Sequence, residues 1–328
     1  MAVGADSADR FHVGERIGEG TFGAVFRGTE VATGRTVAVK RFHAHWMGGK
    51  AGIHFTALRE VRHLNELRHP NIVELLGVIG RDAAGCFSLV FEWCVGDLEG
   101  VIRRADISLR APDVKAYMAM LTSAVAFLHA NGVLHRDLKP ANVLVAPSGA
   151  LKLADFGTAR ALETAGDGGE MTPDIVTRWY QCPELLLGAR RYGPPVDVWS
   201  LGCVFAELHL RRAPFAGTST ADQLVRICAA LGSPTHEAAG WADVSLLPDF
   251  VPMAKLPPAP LSQLFSTGVG SAAGATVPAR EALQLIGAML SLAPARRVAC
   301  ADALQHAYFA PGSLPRATDP ADLPLARR

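Results

Sequence analysis

The hydrophobic rhythm of the chain changes character at about Trp93. Before that point it reads as strands and turns. VFRGTEVATGRTVAVKRF forms two short strands joined through Ala32-Thr33-Gly34, whose glycine suits a hairpin turn. Strand alternation puts Ala38 and Lys40 on one face and Val37 and Val39 on the other. In HFTALREVRHLNELRH the period lengthens, with Leu58, Val61, Leu64 and Leu67 at helical spacing. His69-Pro70 ends that helix, because proline disfavours the α conformation of the residue before it. NIVELLGVIG and CFSLVFEW are further strands, separated by the turn-forming RDAAG.

Beyond Trp93 the pattern is helical. DVKAYMAMLTSAVAFLHANG places Val114, Tyr117, Met118, Leu121, Val125 and Leu128 on one face, and Asn131-Gly132 is a C-cap signal. VDVWSLGCVFAELHL is nearly all apolar, as expected of a helix buried inside a larger lobe. Residues 256–280, rich in Pro, Gly, Ser and Ala, are expected to be irregular surface structure. EALQLIGAMLSLAPARRVACADALQHAYF reads as a closing helix-loop-helix, and the tail after Ala310 as extended. The expected organisation is a small β-rich lobe followed by a larger helical one.

Composition narrows the class. A chain of 328 residues is long enough for about two lobes. With 49% hydrophobic and 19% charged residues it can build a core and is not a disordered chain. The net charge of +1 provides no global field toward nucleic acid or an acidic membrane, so neither is an expected partner. The cysteines are scattered, without CxxC pairs or zinc spacing, which fits reduced thiols in the cytoplasm or nucleus. MAVGADSADR lacks the apolar core of a signal peptide, and no apolar run is long enough to span a bilayer.

The candidate chemistry lies where charge interrupts apolar sequence. Gly18-Glu19-Gly20-Thr21-Phe22-Gly23 is a GxGxxG, followed by strand residues rather than the helix a dinucleotide-binding fingerprint needs. Such a turn brings backbone N–H groups close to phosphates. No GxxxxGK[ST] is present, which argues against a P-loop NTPase. Lys40, a lysine among apolar residues on the strand VAVK, needs an anionic partner, and Glu60 on the following helix is well placed to be one. In HRDLKPANVLVAPSGALKLADFG, residues 135–157, Asp137, Lys139, Asn142 and Asp155 stand among Leu138, Val143, Leu144, Val145, Leu151, Leu153 and Phe156. Buried charge is costly unless it is paired or holds a metal.

In order, the chain presents GxGxxGxV, VAVK, a helix with Glu60, HRDLKPAN, DFG and CPE. This set resembles the eukaryotic protein kinases from about Phe11 to Phe309. The resemblance implies an α+β, bilobal protein-kinase fold. Residues 11–93 would form an antiparallel β-sheet lobe with one regulatory helix, 94–310 a mainly helical lobe and 311–328 a tail. It implies ATP and Mg²⁺ as cofactors and Ser/Thr of proteins as the phosphate acceptor. Asp155 and Asn142 would hold the metal, Asp137 would orient the acceptor hydroxyl and take its proton, and Lys139 would offset charge on the transferring phosphoryl group. The nucleotide would lie against Ile17, Gly18, Glu19, Gly20, Thr21, Gly23, Val25, Ala38, Lys40, Leu144 and Asp97. Phe91 would sit at the back, with Glu92 and Cys94 in the hinge. Thr177 would hydrogen-bond Asp137 and Lys139, Asp197 would tie the catalytic loop to the core helix, and Glu184 and Arg297 would form a buried ion pair.

Finer details resemble the cyclin-dependent kinases. HFTALRE stands at the cyclin-contacting helix motif, and TRWYQCPELLLGARRYGPPVDVWSLGCVFAEL is similar to that family's activation-segment and core-helix region. FEWCVGDLEGVIRRA, LHANGVLHRDLKPANVLVAPSGALKLADFG and DPADLPLARR resemble the cell-cycle-related kinase subgroup, linked to cell-cycle progression and to cilium or flagellum assembly. Arg59, Arg136 and Arg160 match arginines that converge on a phosphothreonine, and Thr172, followed by Pro173, is the aligned acceptor. Expected partners are protein substrates, a cyclin or atypical cyclin-like activator, and an upstream activating kinase. Three departures stand out. Gln181-Cys182 replaces the usual Arg-Ala, which bears on proline direction; Phe22 replaces an inhibitory tyrosine beside Thr21; and Thr158 replaces the usual leucine after DFG. HAHWMGGKAGIH is read as a surface loop rather than a metal site, since no acidic or cysteine ligand accompanies its histidines. Two rival readings are a pseudokinase scaffold, disfavoured because Lys40, Asp137 and Asp155 are all present, and a small-molecule phosphotransferase. The second is disfavoured by the activation segment from Thr172 to Glu184 and by Asp197.

Overall fold

The computed structural model describes residues 7–20, 23–42, 55–80, 86–161, 178–266, 274–310 and 318–323. A short helix α1 (Ser7–Arg10) leads into strands β1 (Phe11–Gly20), β2 (Gly23–Glu30) and β3 (Thr36–Phe42). Helix α2 (Phe55–Glu66) follows, then β4 (Leu75–Ile79) and β5 (Ser88–Glu92). The strands form one antiparallel sheet in the order β1-β2-β3-β5-β4. The β2–β3 hairpin turns where expected: Gly34 adopts φ +70° and donates to the Glu30 carbonyl at 2.8 Å. Along β3, Val37 and Val39 are fully buried while Ala38 and Lys40 are half-buried, as alternation demands. β5 is buried along its whole length, because β3 and β4 flank it and both its faces are covered.

α2 stops at Glu66, ahead of His69-Pro70, and directs Leu64 into the core. The second region starts with β6 (Gly96–Asp97), α3 (Leu98–Arg103) and α4 (Ala111–Ala130). Short strands β7 (Val133–Leu134), β8 (Val143–Val145), β9 (Leu151–Leu153) and β10 (Arg160–Ala161) then alternate with the loops that carry the polar motifs. α5 (Pro183–Leu186), α6 (Pro195–Leu210), α7 (Thr220–Leu231), α8 (Arg280–Met289) and α9 (Cys300–Ala303) complete the lobe. α6 is buried from Val196 to Leu210 and forms its axis, packing on α4 and α8. α4 ends at Asn131-Gly132, with Gly132 at φ +69°. None of the helices among the described residues is long and apolar enough to cross a membrane.

Two expectations are corrected. The closing helix-loop-helix has a full first member, but the second is one turn, Cys300–Ala303. Pro294 opens a 3₁₀ turn there, and the chain delivers Arg297 to a distant carboxylate instead of continuing helically. The end of the chain is not simply extended. Pro320–Asp322 form a 3₁₀ turn, Leu323 is fully buried, and the Thr318 hydroxyl donates to the buried Asp113 carboxylate at 2.5 Å. Leu323 has apolar area to bury, and Asp113 accepts a further donor, so the segment docks on the start of α4.

Candidate active site

The site lies where the sheet meets the loops between β7 and β10. β3 supplies Lys40 and α2 supplies Glu60, which is 1% exposed. Lys40 Nζ lies 3.0 and 3.2 Å from the two Glu60 oxygens and 3.2 Å from Asp155 Oδ1. Burial opposes charge on the ammonium, but the two carboxylates outweigh it and hold Lys40 above the ordinary lysine value. Asp155 responds in the opposite direction: burial would raise it, yet Lys40 lowers it, so it is an anion. Lysine and glutamate, twenty residues apart in sequence, are thus an ion pair, as the apolar flanks of VAVK required.

The catalytic-loop candidates form a second cluster. Lys139 Nζ donates to Asp137 Oδ2 at 2.8 Å. Asn142 Nδ2 donates to the Asp137 backbone oxygen at 2.8 Å and to Oδ2 at 2.9 Å. The loop is held from below by Asp197, on α6. Its carboxylate accepts the backbone N–H of His135 at 2.9 Å and of Arg136 at 2.8 Å, and bonds His129 Nε2 at 2.9 Å. Burial would raise Asp197, but the His129 bond and the other donors keep it below the usual carboxylate value. Asp197 therefore ties the loop to the core helix, as the sequence implied, and Arg136 is held at φ 71°.

The donor set suits a hard cation. Asn142 commits its N–H₂ to Asp137, leaving its carboxamide oxygen to face elsewhere, and Asp155 commits Oδ1 to Lys40, leaving Oδ2. Both are oxygen ligands of the kind Mg²⁺ takes together with phosphate oxygens. Among the described residues no group of three or more His, Cys, Asp or Glu is placed to hold a metal ion.

The nucleotide-side candidates lie on the β1–β5 sheet, in the hinge and on β6 and β8. Strand register places Gly18 opposite Val25, Val25 opposite Lys40 and Ala38 opposite Phe91. Gly20 faces Gly23, and a Cβ on Gly23 would lie 2.0 Å from the Arg41 carbonyl, so that position admits glycine alone. Ile17 is exposed and Glu19 pairs with Arg16. Asp97 faces Leu144 across β6 and β8, and its carboxylate caps α3 by accepting the Gly100 N–H at 2.7 Å. In the hinge, the Glu92 carboxylate takes Lys152 at 2.8 Å and the Glu74 N–H at 2.9 Å. The Cys94 thiol is pushed up to about 12 by burial and by Glu92, so it stays protonated.

On the regulatory side, Arg160 pairs with Leu134 across β10 and β7, two positions before Arg136 in the chain. Arg136 Nε donates to the Thr158 carbonyl at 2.6 Å and Nη1 to the Tyr192 hydroxyl at 3.0 Å. Arg59 precedes Glu60 on α2. Thr21, Thr172 and Thr177, Phe22 and the segment HAHWMGGKAGIH lie outside the described residues. Arg297 and Glu184 meet through two bonds of 2.5 and 2.7 Å, as the sequence implied. Gln181 lines a cleft with Asp137, Leu138, Leu185 and Val196. Sequence reasoning missed His129, Tyr192 and Lys152, because a partner 68, 56 or 60 positions away leaves no local signature.

A fold with this sheet, this helical lobe and these clusters is that of a protein kinase, and comparison agrees. A family model described as protein kinase domain matches residues 11–309, so the chain belongs to that family. Cyclin-dependent kinase 7 of Dictyostelium discoideum is 43% identical over 319 residues, covering 97% of this chain and 84% of the relative. Cyclin-dependent kinase 20 of Rattus norvegicus is 38% identical, covering 98% and 88%. A solved structure of the CAK complex of Chaetomium thermophilum bound to ATP-gamma-S matches with a TM-score of 0.83 and 37% identity, over 97% of this chain and 96% of that one. The branch is the cyclin-dependent kinases, and the enzyme class is protein serine/threonine kinase.

Proposed function

We propose that the chain transfers the γ-phosphate of ATP to serine and threonine side chains of proteins, preferring acceptors followed by proline. The observation that carries this reading is the placement of Lys40 within 3.2 Å of both Glu60 and Asp155, beside the Asp137–Lys139–Asn142 cluster. Lys40 would orient the ATP phosphates, and Glu60 holds Lys40 in place. Asp137 would position the acceptor hydroxyl and receive its proton, and Lys139 would offset charge as the phosphoryl group moves. Asp155 and Asn142 would hold Mg²⁺, which when bound neutralises phosphate charge. Ile17, Val25, Ala38, Leu144, Phe91 and the hinge would enclose the adenine, and Asp97 would lie at the mouth of that site.

Regulation would run through Thr172. A phosphate there would meet Arg59, Arg136 and Arg160, and the pairing of β10, which carries Arg160, with β7, which leads into Arg136, supports this. A cyclin-like partner on α2 and an upstream kinase are the proposed activators. The relative in the CAK complex and the cyclin-dependent kinase relatives support that class of partner. A role in cell-cycle progression, with sites of action in cytoplasm or nucleus, accords with the relatives' class. The further role in cilium or flagellum assembly rests on sequence resemblance to the cell-cycle-related subgroup alone. The test is phosphate transfer from Mg-ATP to Ser/Thr peptides with and without a following proline. Wild type should act and Asp137→Asn should not. Activity on a metabolite and on no peptide would sink the reading.

A further inference from the structure

Thr158 follows the Asp155-Phe156-Gly157 turn, and its side chain is used. Its hydroxyl donates to the His135 carbonyl at 3.1 Å, while its own carbonyl accepts from Arg136 Nε at 2.6 Å. The two segments touch at two further points. His135 Nε2 bonds the Ala154 carbonyl at 3.0 Å, and the His135 ring meets the fully buried Phe156 ring edge-on at 5.2 Å. His135 itself is fully buried, so a donor to its carbonyl replaces water that cannot reach it.

Both segments are held in unusual backbone conformations. Arg136 at φ 71° and Asp155 at φ 62° are two of the three non-glycine residues with positive φ among the described residues. They flank this contact. Left-handed conformations at side-chain-bearing residues persist where surrounding bonds over-determine them. Asp197 fixes the catalytic-loop side through the N–H groups of His135 and Arg136. The Asp155 side is fixed by Lys40 at its carboxylate and by Thr158 at the far end of the turn.

We infer that the Thr158 hydroxyl is a positioning group: it staples the Asp155–Thr158 turn to the catalytic loop and so holds the Asp155 carboxylate where it faces Mg-ATP. A leucine or valine in its place offers no donor, and the His135 carbonyl loses that bond. The turn then keeps the Arg136 contact and the Phe156 packing but opens more often. The inference rests on the reading that Asp155 serves Mg-ATP.

The experiment compares the full chain with Thr158→Val, which keeps the shape and removes the hydroxyl, and Thr158→Ser, which keeps the hydroxyl. Amide hydrogen exchange is measured over residues 154–159 without nucleotide or metal, and the Mg²⁺ concentration for half-maximal phosphate transfer is measured at saturating ATP. Loss of one buried hydrogen bond should speed exchange about 10-fold in Thr158→Val, with a several-fold higher Mg²⁺ requirement, and Thr158→Ser should match wild type. Exchange in Thr158→Val equal to wild type overturns the inference, as does a Thr158→Ser variant that exchanges as fast as Thr158→Val. If no protein, wild type included, transfers phosphate, the exchange arm still decides the staple, and it is the reading of Asp155 that fails.

Discussion

The ammonium of Lys40 stands 3.2 Å from Asp155 Oδ1 across 115 positions of sequence, with Glu60 on its other side at 3.0 Å. One cation thus joins the sheet, the helix α2 and the Asp155-Phe156-Gly157 turn. Lys40→Met should lower kcat/KM by about 10²-fold or more, the scale of losing one preorganised electrostatic contact. It also leaves Glu60 buried without its cation, which should lower the melting temperature. Steady-state kinetics with thermal unfolding checks both, and an active, equally stable Lys40→Met refutes the arrangement.

Glu184 and Arg297 are both buried and bonded twice to each other, with Arg297 also donating to the carbonyls of Leu292, Ser291 and Pro195. Removing one partner strands the other charge in the core. Glu184→Ala should cost roughly 3–5 kcal/mol of stability by urea unfolding. A Glu184→Gln, Arg297→Met double variant should cost less than the two single changes together. Additive losses would show that the pair is not coupled.

Glu207 is 6% exposed on α6 and accepts the Tyr180 hydroxyl at 2.6 Å. Burial outweighs that bond and pushes its carboxyl up to about 7. Between 4.5 and about 7 the folded chain therefore holds a proton that the unfolded chain releases. Stability is full below that window and falls as pH rises through it, by roughly 3 kcal/mol in total. Glu207→Gln keeps an acceptor for Tyr180 and has no proton to lose, so its stability should vary less between pH 5 and 8. Parallel wild-type and variant profiles would show that Glu207 titrates normally.

Leu323 is fully buried although it lies near the end of the chain, and Thr318 bonds Asp113 beneath it. Leu323→Ala should destabilise the helical lobe by about 2–5 kcal/mol, the range for truncating a buried leucine. Unfolding followed by denaturant titration is the check. A variant indistinguishable from wild type would mean the segment is not docked in solution.

Much of the site was legible before folding was considered. The apolar residues of VAVK called for an anionic partner to Lys40, and Glu60 is that partner. The run of apolar residues from Val196 to Leu210 announced a buried helix, and it is one. The tail and the last helix were misread for one reason. A proline-containing segment and a helical period describe local preference, whereas Thr318 and Arg297 are placed by distant partners, Asp113 and Glu184.

Residue order determined the strands, the helices and the ordered set of polar motifs, because alternation, helical period, glycine turns and proline stops act within a few positions. Tertiary structure decided which of those polar groups meet. Asp197 finds His135 and Arg136 from 62 and 61 residues away, and Thr158 reaches the His135 carbonyl. Those bonds follow from packing β7, α6 and the 155–158 turn together. In a buried space each donor and acceptor must be satisfied by whatever the fold brings within 3 Å or so, and no local pattern in the chain encodes that partner.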